Sequence, residues 1–400
     1  MAQADWKIKR DIGLFTVVRI AISANYRMVY PFLPVFALGL GVEPPALAMA
    51  FSIRSFLGVL GPFVATIADT RDRKTGILLG IGLFTLGSGV VALWPTFWTF
   101  IFGTSLVVLG NVVFIPSVNA YLGDRIPYEK RGRVIAILEM NWALSFIIGI
   151  PIVRYLIESY HWVAPFIFFT GIGLFFFVIF SWLIPSQHIP KTNENKLWKN
   201  LGRLVRTWPA LAGLLVGMLV TSSNETVNLV FGLWIEKQFG LNIAALAAAS
   251  VVIGISELGG EVFTGLFLDA VGKRKMIWIF LGANSLAALL LPLTGGVLGW
   301  ALAGLGFFYI TFEIILVSIL TLMSEVIPDA RATMLAAIVA GFSLGRMLGN
   351  LAAPGLFGIS FWATCLTAVI LNIIAAGLLT EVRLESGQPG TRNKLLDFEC

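Results

Sequence analysis

Two stretches decide how this chain reads: Ala65-Thr-Ile-Ala-Asp69-Thr-Arg71-Asp72-Arg73-Lys74 and Gly265-Leu-Phe-Leu-Asp269-Ala-Val-Gly272-Lys273-Arg274. Each is a short charged break between long apolar runs, and their aspartates stand 200 positions apart. A second pair keeps nearly the same offset: Gly123-Asp124-Arg-Ile-Pro127 against Ser324-Glu325-Val-Ile-Pro328. Two matched breaks in register mark an internal repeat of half the 400-residue chain.

The runs between the breaks are membrane spans. The chain is 58% hydrophobic and 12% charged, where a soluble domain carries about 25% charged residues. A helix needs about 20 apolar residues to cross the hydrocarbon core. Such runs lie near 12–38, 46–68, 76–94, 97–121, 134–157, 163–184, 208–235, 243–267, 276–294, 297–322, 334–357 and 360–380. They are continuous, whereas a membrane barrel needs short alternating segments. The expectation is an all-α membrane protein of twelve spans. Its parts are residues 1–184 and 208–380, a linker over 185–207 and a tail over 381–400. The basic start, Trp6-Lys-Ile-Lys-Arg10, leads into a run too long for a signal-peptide core.

Lys and Arg placement sets the orientation. With both termini cytoplasmic, 22 of the 28 basic residues fall on inner segments. That bias also accounts for the basic balance without nucleic-acid binding. Trp94, Trp98, Trp162, Trp234, Trp300 and Trp362 fall near outer span ends, where indole favours the headgroup boundary. The two cysteines, Cys365 and Cys400, and the two histidines, His161 and His188, form no disulfide framework or metal cluster. No cofactor, no metal and no nucleophile–base set is expected, which argues against an enzyme.

The break after span 2 resembles the signature G-x-x-x-D-R-x-G-R-R of the major facilitator superfamily, whose weaker copy follows span 8. The second break keeps Gly265, Asp269, Gly272, Lys273 and Arg274. The first keeps Asp69, Arg73 and Lys74, with Ala65, Thr70 and Asp72 departing from the pattern. The resemblance covers the whole chain. It implies two pseudo-symmetric six-helix bundles around a central cavity lined by spans 1, 4, 7 and 10. Spans 2, 5, 8 and 11 would form the interface and spans 3, 6, 9 and 12 would face lipid. It also implies that Asp69, Arg73, Lys74, Asp269, Gly272, Lys273 and Arg274 act as conformational latches.

Charge inside the membrane is costly, from about 2.5 to more than 10 kcal/mol per group, so it faces protein or water. It occurs in spans 1, 2, 5, 7, 8, 10 and 11 and is absent from 3, 6, 9 and 12, as that assignment requires. Span 1 carries Arg19, Asn25, Tyr26 and Arg27, and span 7, 200 residues on, carries Asn224, Glu225 and Asn228. Asn111 on span 4 and Glu313 on span 10 extend this lining. Together they are the candidate substrate or proton-binding set, with Arg27 and Glu225 expected to face each other. Burial disfavours an ionised carboxyl in general, which makes Glu225 the candidate proton carrier. Arg54, Glu139, Glu257, Glu261 and Arg346 are expected to form an interdomain charge network. Gly341, Gly345 and Gly349 form a small-residue stripe on span 11, expected where the halves rock.

No phosphate-binding loop is present, so ATP drives nothing directly. A secondary transporter of a small organic solute, proton-coupled, monomeric and resident in the plasma membrane, fits these features. A multidrug/proton antiporter is the alternative. Its usual span 4 Arg is missing from Leu106-Val-Val-Leu-Gly110, and only Gly149-Ile-Pro151 remains of its span 5 motif. A non-transporting sensor lacks an appended signalling domain. Arginines in span 1 favour an anionic or zwitterionic solute, whereas Glu225 and Glu313 oppose a simple anion.

Overall fold

The structure, a computed structural model, describes residues 2–60, 72–126, 134, 137–186, 202–204, 206–240, 242–327 and 331–382. Asp69, most of the linker and nearly all of the tail lie outside the described residues.

The chain opens with α1 (Ala2–Arg27) and α2 (Leu33–Leu40). These are one span interrupted at Pro31 and Pro34, which cannot donate to the helical ladder. Neighbouring bonds bridge the break, Met28 N–H to Ala24 at 2.8 Å and Phe36 N–H to Phe32 at 2.9 Å. Gly41 (φ 65°) then caps α2 in the left-handed conformation, and its N–H meets the Leu38 carbonyl. Pro44 starts α3 (Pro44–Gly58), inclined 109° to α2. This turn separates the first crossing from the second.

Among the described residues, ten further helices are long and apolar enough to cross a membrane. They are α4 (Arg73–Leu93), α5 (Phe97–Gly123), α6 (Ile137–Ser159), α7 (Ala164–Leu183), α8 (Trp208–Phe239) and α9 (Ile243–Val271), followed by α10 (Lys273–Leu290, extended by one tight turn), α11 (Leu298–Val326), α12 (Arg331–Ile359) and α13 (Phe361–Leu379). Counting the bent pair α2–α3 as one more span gives eleven among the described residues, where twelve were expected; α1 and α2, broken at Pro31 and Pro34, lack a helix that meets the length and hydropathy of a span.

Helices α1–α7 pack mainly on one another, as do α8–α13. The two groups meet where α3 lies on α12 and α6 on α9. Asn350 Nδ2 donates to Ser55 Oγ at 3.2 Å, and Ser52 Oγ to the Met347 carbonyl at 3.3 Å, tying α3 to α12. On the face away from the N-terminus, α2 rests on α8. A Cβ on Gly232 would lie 2.7 Å from the Pro31 carbonyl, so only glycine permits that approach.

The glycine stripe of α12 does not sit between the halves. A Cβ on Gly349 would meet Ser222 O at 2.8 Å and Glu225 Cβ at 2.6 Å, and one on Gly345 would run into the Met218 carbonyl. Gly341, Gly345 and Gly349 thus pack α12 on α8 within one group. Gly345→Ala is expected to cost about 1–3 kcal/mol or more, because backbone cannot yield as a side chain does. A lowered thermal midpoint of the purified protein checks this.

The repeat is visible in contacts as well as letters. Arg73 pairs with Asp124 at 3.4 Å and Lys74 donates to the Ser181 carbonyl at 2.6 Å. In the second group Lys273 pairs with Glu325, and Arg274 donates to the Thr380 carbonyl at 2.6 Å. Each basic pair therefore clamps the ends of two neighbouring helices. Asp269 is exposed and meets no partner among the described residues, so these cations hold their own bundle rather than Asp269. Asp124→Asn is expected to cost under about 1 kcal/mol, since the carboxylate is half in solvent. Denaturant midpoints of the two proteins check that figure.

Trp94, Trp98, Trp300 and Trp362 stand exposed near span ends, but Trp234 is buried and stacked on Phe361 at 4.5 Å. It is core, not belt. Exposed apolar side chains cover α7 and α13, including Leu174, Val178, Ile370 and Ile373.

Candidate functional site

Arg27 ends α1 and points across to α9. Its Nη2 donates to Glu257 Oε1 at 2.5 Å and its Nη1 to Oε2 at 2.7 Å. The pair is 5% and 3% exposed. Its guanidinium lies over the Phe146 ring at 3.4 Å and the Trp142 ring at 4.4 Å. Both rings sit at the middle of α6, where Ser145–Gly149 forms a π turn. Pro151 cannot donate to the carbonyl four residues before it, and a widened turn accommodates the loss. The same turn packs on Gly254 of α9, where a Cβ would lie 2.8 Å from Phe146 Cβ. Arg27 therefore faces Glu257, not Glu225.

Glu225, buried on α8, accepts from Asn228 Nδ2 at 3.1 Å through Oε2, while Oε1 has no hydrogen-bond partner. The Tyr309 hydroxyl on α11 donates to Asn228 Oδ1 at 2.6 Å. Arg27, Glu225, Asn228, Glu257 and Tyr309 line one small polar chamber, walled by Tyr26, Trp142 and Arg346. Asn224 also lines it, with its Nδ2 unpartnered. Glu313 lies one turn beyond Tyr309 with Oε2 unpartnered. It crosses close to α9 at Gly260, where a Cβ would lie 2.8 Å from Glu313 Cβ.

On the other side of Tyr26, Trp142 and Arg346 is a cavity of about 670 Å³ between the two groups. Its walls come from α3 (Arg54, Gly58), α5 (Val108 to Asn119) and α12 (Leu335 to Arg346). These stretches run from mid-span toward the chain's N-terminal face. Val112, Ile115, Pro116 and Val339 make it largely apolar, while Asn111, Asn119 and two arginines supply polar groups.

Several expected site residues lie elsewhere. Arg19 turns to α6, where Nη2 donates to Glu139 Oε1 at 2.9 Å, so that pair stays within the first group and is not interdomain. Asn25 donates to Ser88 on α4 at 3.1 Å. Arg54 does not neutralise Glu257 or Glu261. It donates to the Tyr26 carbonyl at 3.0 Å and the Tyr30 hydroxyl at 3.1 Å, beneath the Tyr26 ring. Arg346 makes no ion pair among the described residues, although Glu225 acts on it electrostatically. Glu261 is half-buried near Glu257 and Glu139.

Tyr30, Trp142 and Tyr309 escaped the charge-based reading of the sequence. Tyr309 lies four residues before Glu313, on the same helix face, and that spacing was the available signal.

Comparison with known proteins fits this geometry. The family model described as Major Facilitator Superfamily matches residues 15–350. An uncharacterised MFS-type transporter of Bacillus subtilis, YwfA, is 25% identical over 372 residues, covering 90% of this chain and 87% of its own. Multidrug resistance protein 2 of the same organism is 25% identical, covering 79% of each chain. Multidrug resistance protein MdtG of Salmonella typhi is 24% identical, covering 75% and 76%. Among solved structures, an inward-facing, occupied bacterial homologue of the human lysosomal transporter Spinster aligns with TM-score 0.76 at 14% identity, over 93% of this chain and 96% of its own. A POT family transporter bound to a thioalcohol-conjugated peptide gives 0.72 at 15%, over 93% and 95%. With its matched loops, ten or eleven described spans and a mid-span cavity between two helix groups, this chain belongs to the major facilitator superfamily.

Proposed function

We propose that this protein is a secondary active transporter that moves a small organic solute by alternating access. Residues 1–184 and 208–380 would be the two rocking bodies. The observation that carries this reading is the cavity of about 670 Å³ between the helix groups, ending on a polar chamber at mid-span. Alternating access needs such a site at the midplane between two bodies. The Arg27–Glu257 pair and the α2–α8 contact hold one face shut in this reading.

The coupling ion is a proton. Glu225 and Glu313 are carboxyl groups buried at mid-membrane, where a carboxyl that gains and loses a proton is the expected carrier. The apolar cavity wall and the relatives named multidrug resistance proteins favour a second form of this reading, export of amphipathic compounds in exchange for protons.

The test is flux from proteoliposomes holding the purified protein, run on a panel of amphipathic solutes with and without a pH gradient. At least one solute should move faster than in protein-free vesicles, and the gradient should drive it uphill. If no solute across the panel moves faster than through lipid alone, transport is the wrong reading.

A further inference from the structure

We propose that the large cavity selects amphipathic organic anions, holding the anionic head at Arg346 and Arg54 and the apolar body along α5 and α12. This rests on the transporter reading and names the class of solute. Charge count is the first argument. Two arginines line the cavity and no acidic residue does, among the described residues. None of the described buried carboxylates near mid-span lines this cavity, although Glu225 shares the smaller chamber with Arg346. Arg27 and Glu257 neutralise each other, Glu225 faces the smaller chamber, and Glu313 sits against α9. The carboxylates that would repel an anion are thus separated from the cavity by Tyr26, Trp142 and Arg346.

Unmet hydrogen-bonding capacity is the second argument. Arg346 has no ion pair among the described residues, and its guanidinium lies 5.8 Å from the centre of the Trp142 ring. Arg54 is 1% exposed, and its Nε finds no acceptor. Both cations share the cavity wall with Tyr26, and Arg54 lies 4.0 Å over its ring. Arg346 is the cation with donors left for a ligand, and a carboxylate, sulfonate or phosphate monoester meets it with charge-assisted hydrogen bonds, while Arg54 adds positive charge on the same wall. The walls at Val112, Ile115 and Val339 supply no polar partner, which suits an alkyl or aromatic body.

The test compares three probes of one shape on the intact protein in lipid nanodiscs: 1-naphthaleneacetate, its neutral amide and 1-naphthylmethylammonium. Isothermal titration is read against protein-free nanodiscs, which subtracts partition into lipid. The acetate should bind saturably and at least 10-fold tighter than the amide, with no saturable binding of the ammonium. Arg346→Gln should weaken the acetate at least 10-fold and leave the amide unchanged, and Arg346→Lys should recover part of the loss. The comparison on unaltered protein stands even where a variant fails to fold. Equal or tighter binding of the amide or the ammonium overturns the proposal. So does an acetate that shows no saturable binding. Neither outcome touches the transporter reading, which the flux experiment decides by itself.

Discussion

Glu257→Gln is expected to destabilise the closed contact between α6 and α9 and to reduce transport at least 100-fold. The variant leaves Arg27 buried with one neutral acceptor in place of a carboxylate held by two hydrogen bonds. Removing one member of a buried ion pair costs about 3–5 kcal/mol, because the remaining charge is stranded. At 1.4 kcal/mol per factor of ten, that shifts the balance between conformations by roughly 10²- to several times 10³-fold. Stacking on Phe146 and Trp142 offsets part of the cost, since both rings already face the guanidinium. Thiol labelling measures the shift directly. A Val339→Cys reporter in the cavity, on a protein lacking its native cysteines, should change its labelling rate in the Glu257→Gln background. The double variant Arg27→Gln/Glu257→Gln should recover much of the lost stability, because two neutral partners strand no charge. Unchanged labelling and unchanged flux in the single variant would show that the pair does not hold this conformation.

Glu225→Gln is expected to remove coupling altogether while leaving the protein folded. The amide oxygen of Gln can still accept from Asn228, so the Asn228–Tyr309 connection survives. The tight contact with Gly349 involves Glu225 Cβ and survives too. What disappears is a site that can gain and lose a proton. In proteoliposomes the steady-state accumulation driven by a pH gradient should fall to about 1, while exchange of solute for solute continues. Full concentrative transport by the variant sinks the assignment and leaves Glu313 as the next carboxyl to replace. Loss of exchange together with coupling would point to a structural role for Glu225.

Much of the fold was legible because lipid imposes a simple rule. Backbone polar groups cannot remain unpaired in hydrocarbon, so long apolar runs must be helices. The loops at 65–74 and 265–274 added the repeat. The structure then showed its physical content, two sets of basic side chains clamping equivalent helix ends. The interrupted first span was legible in Pro31 and Pro34, although hydropathy alone reads 12–38 as continuous.

The site was legible as an inventory and not as a set of pairs. Spans 1, 2, 5, 7, 8, 10 and 11 stand out in the sequence by their charges. Which charge meets which depends on helix rotation and depth, and a shift of one residue turns a helical side chain by about 100°. Arg27 and Glu225 lie on spans related by the repeat, which puts their polar clusters at similar depth. It does not aim them at each other, and a bidentate contact with Glu257 outweighs that symmetry. The same uncertainty put Arg54 and Arg346 in an interface network, where the structure sets them on a cavity wall.

By itself, then, the sequence determined the all-α membrane fold class, the repeat and the helices that carry intramembrane charge, because each follows from the cost of placing polar groups in lipid. The tertiary structure alone decided that Arg27 belongs to Glu257, that the glycine stripe binds α12 to α8, and that two arginines and no described acid face the large cavity. Those are facts about side-chain direction across helix contacts, and they arise only when packing fixes the rotation of each helix.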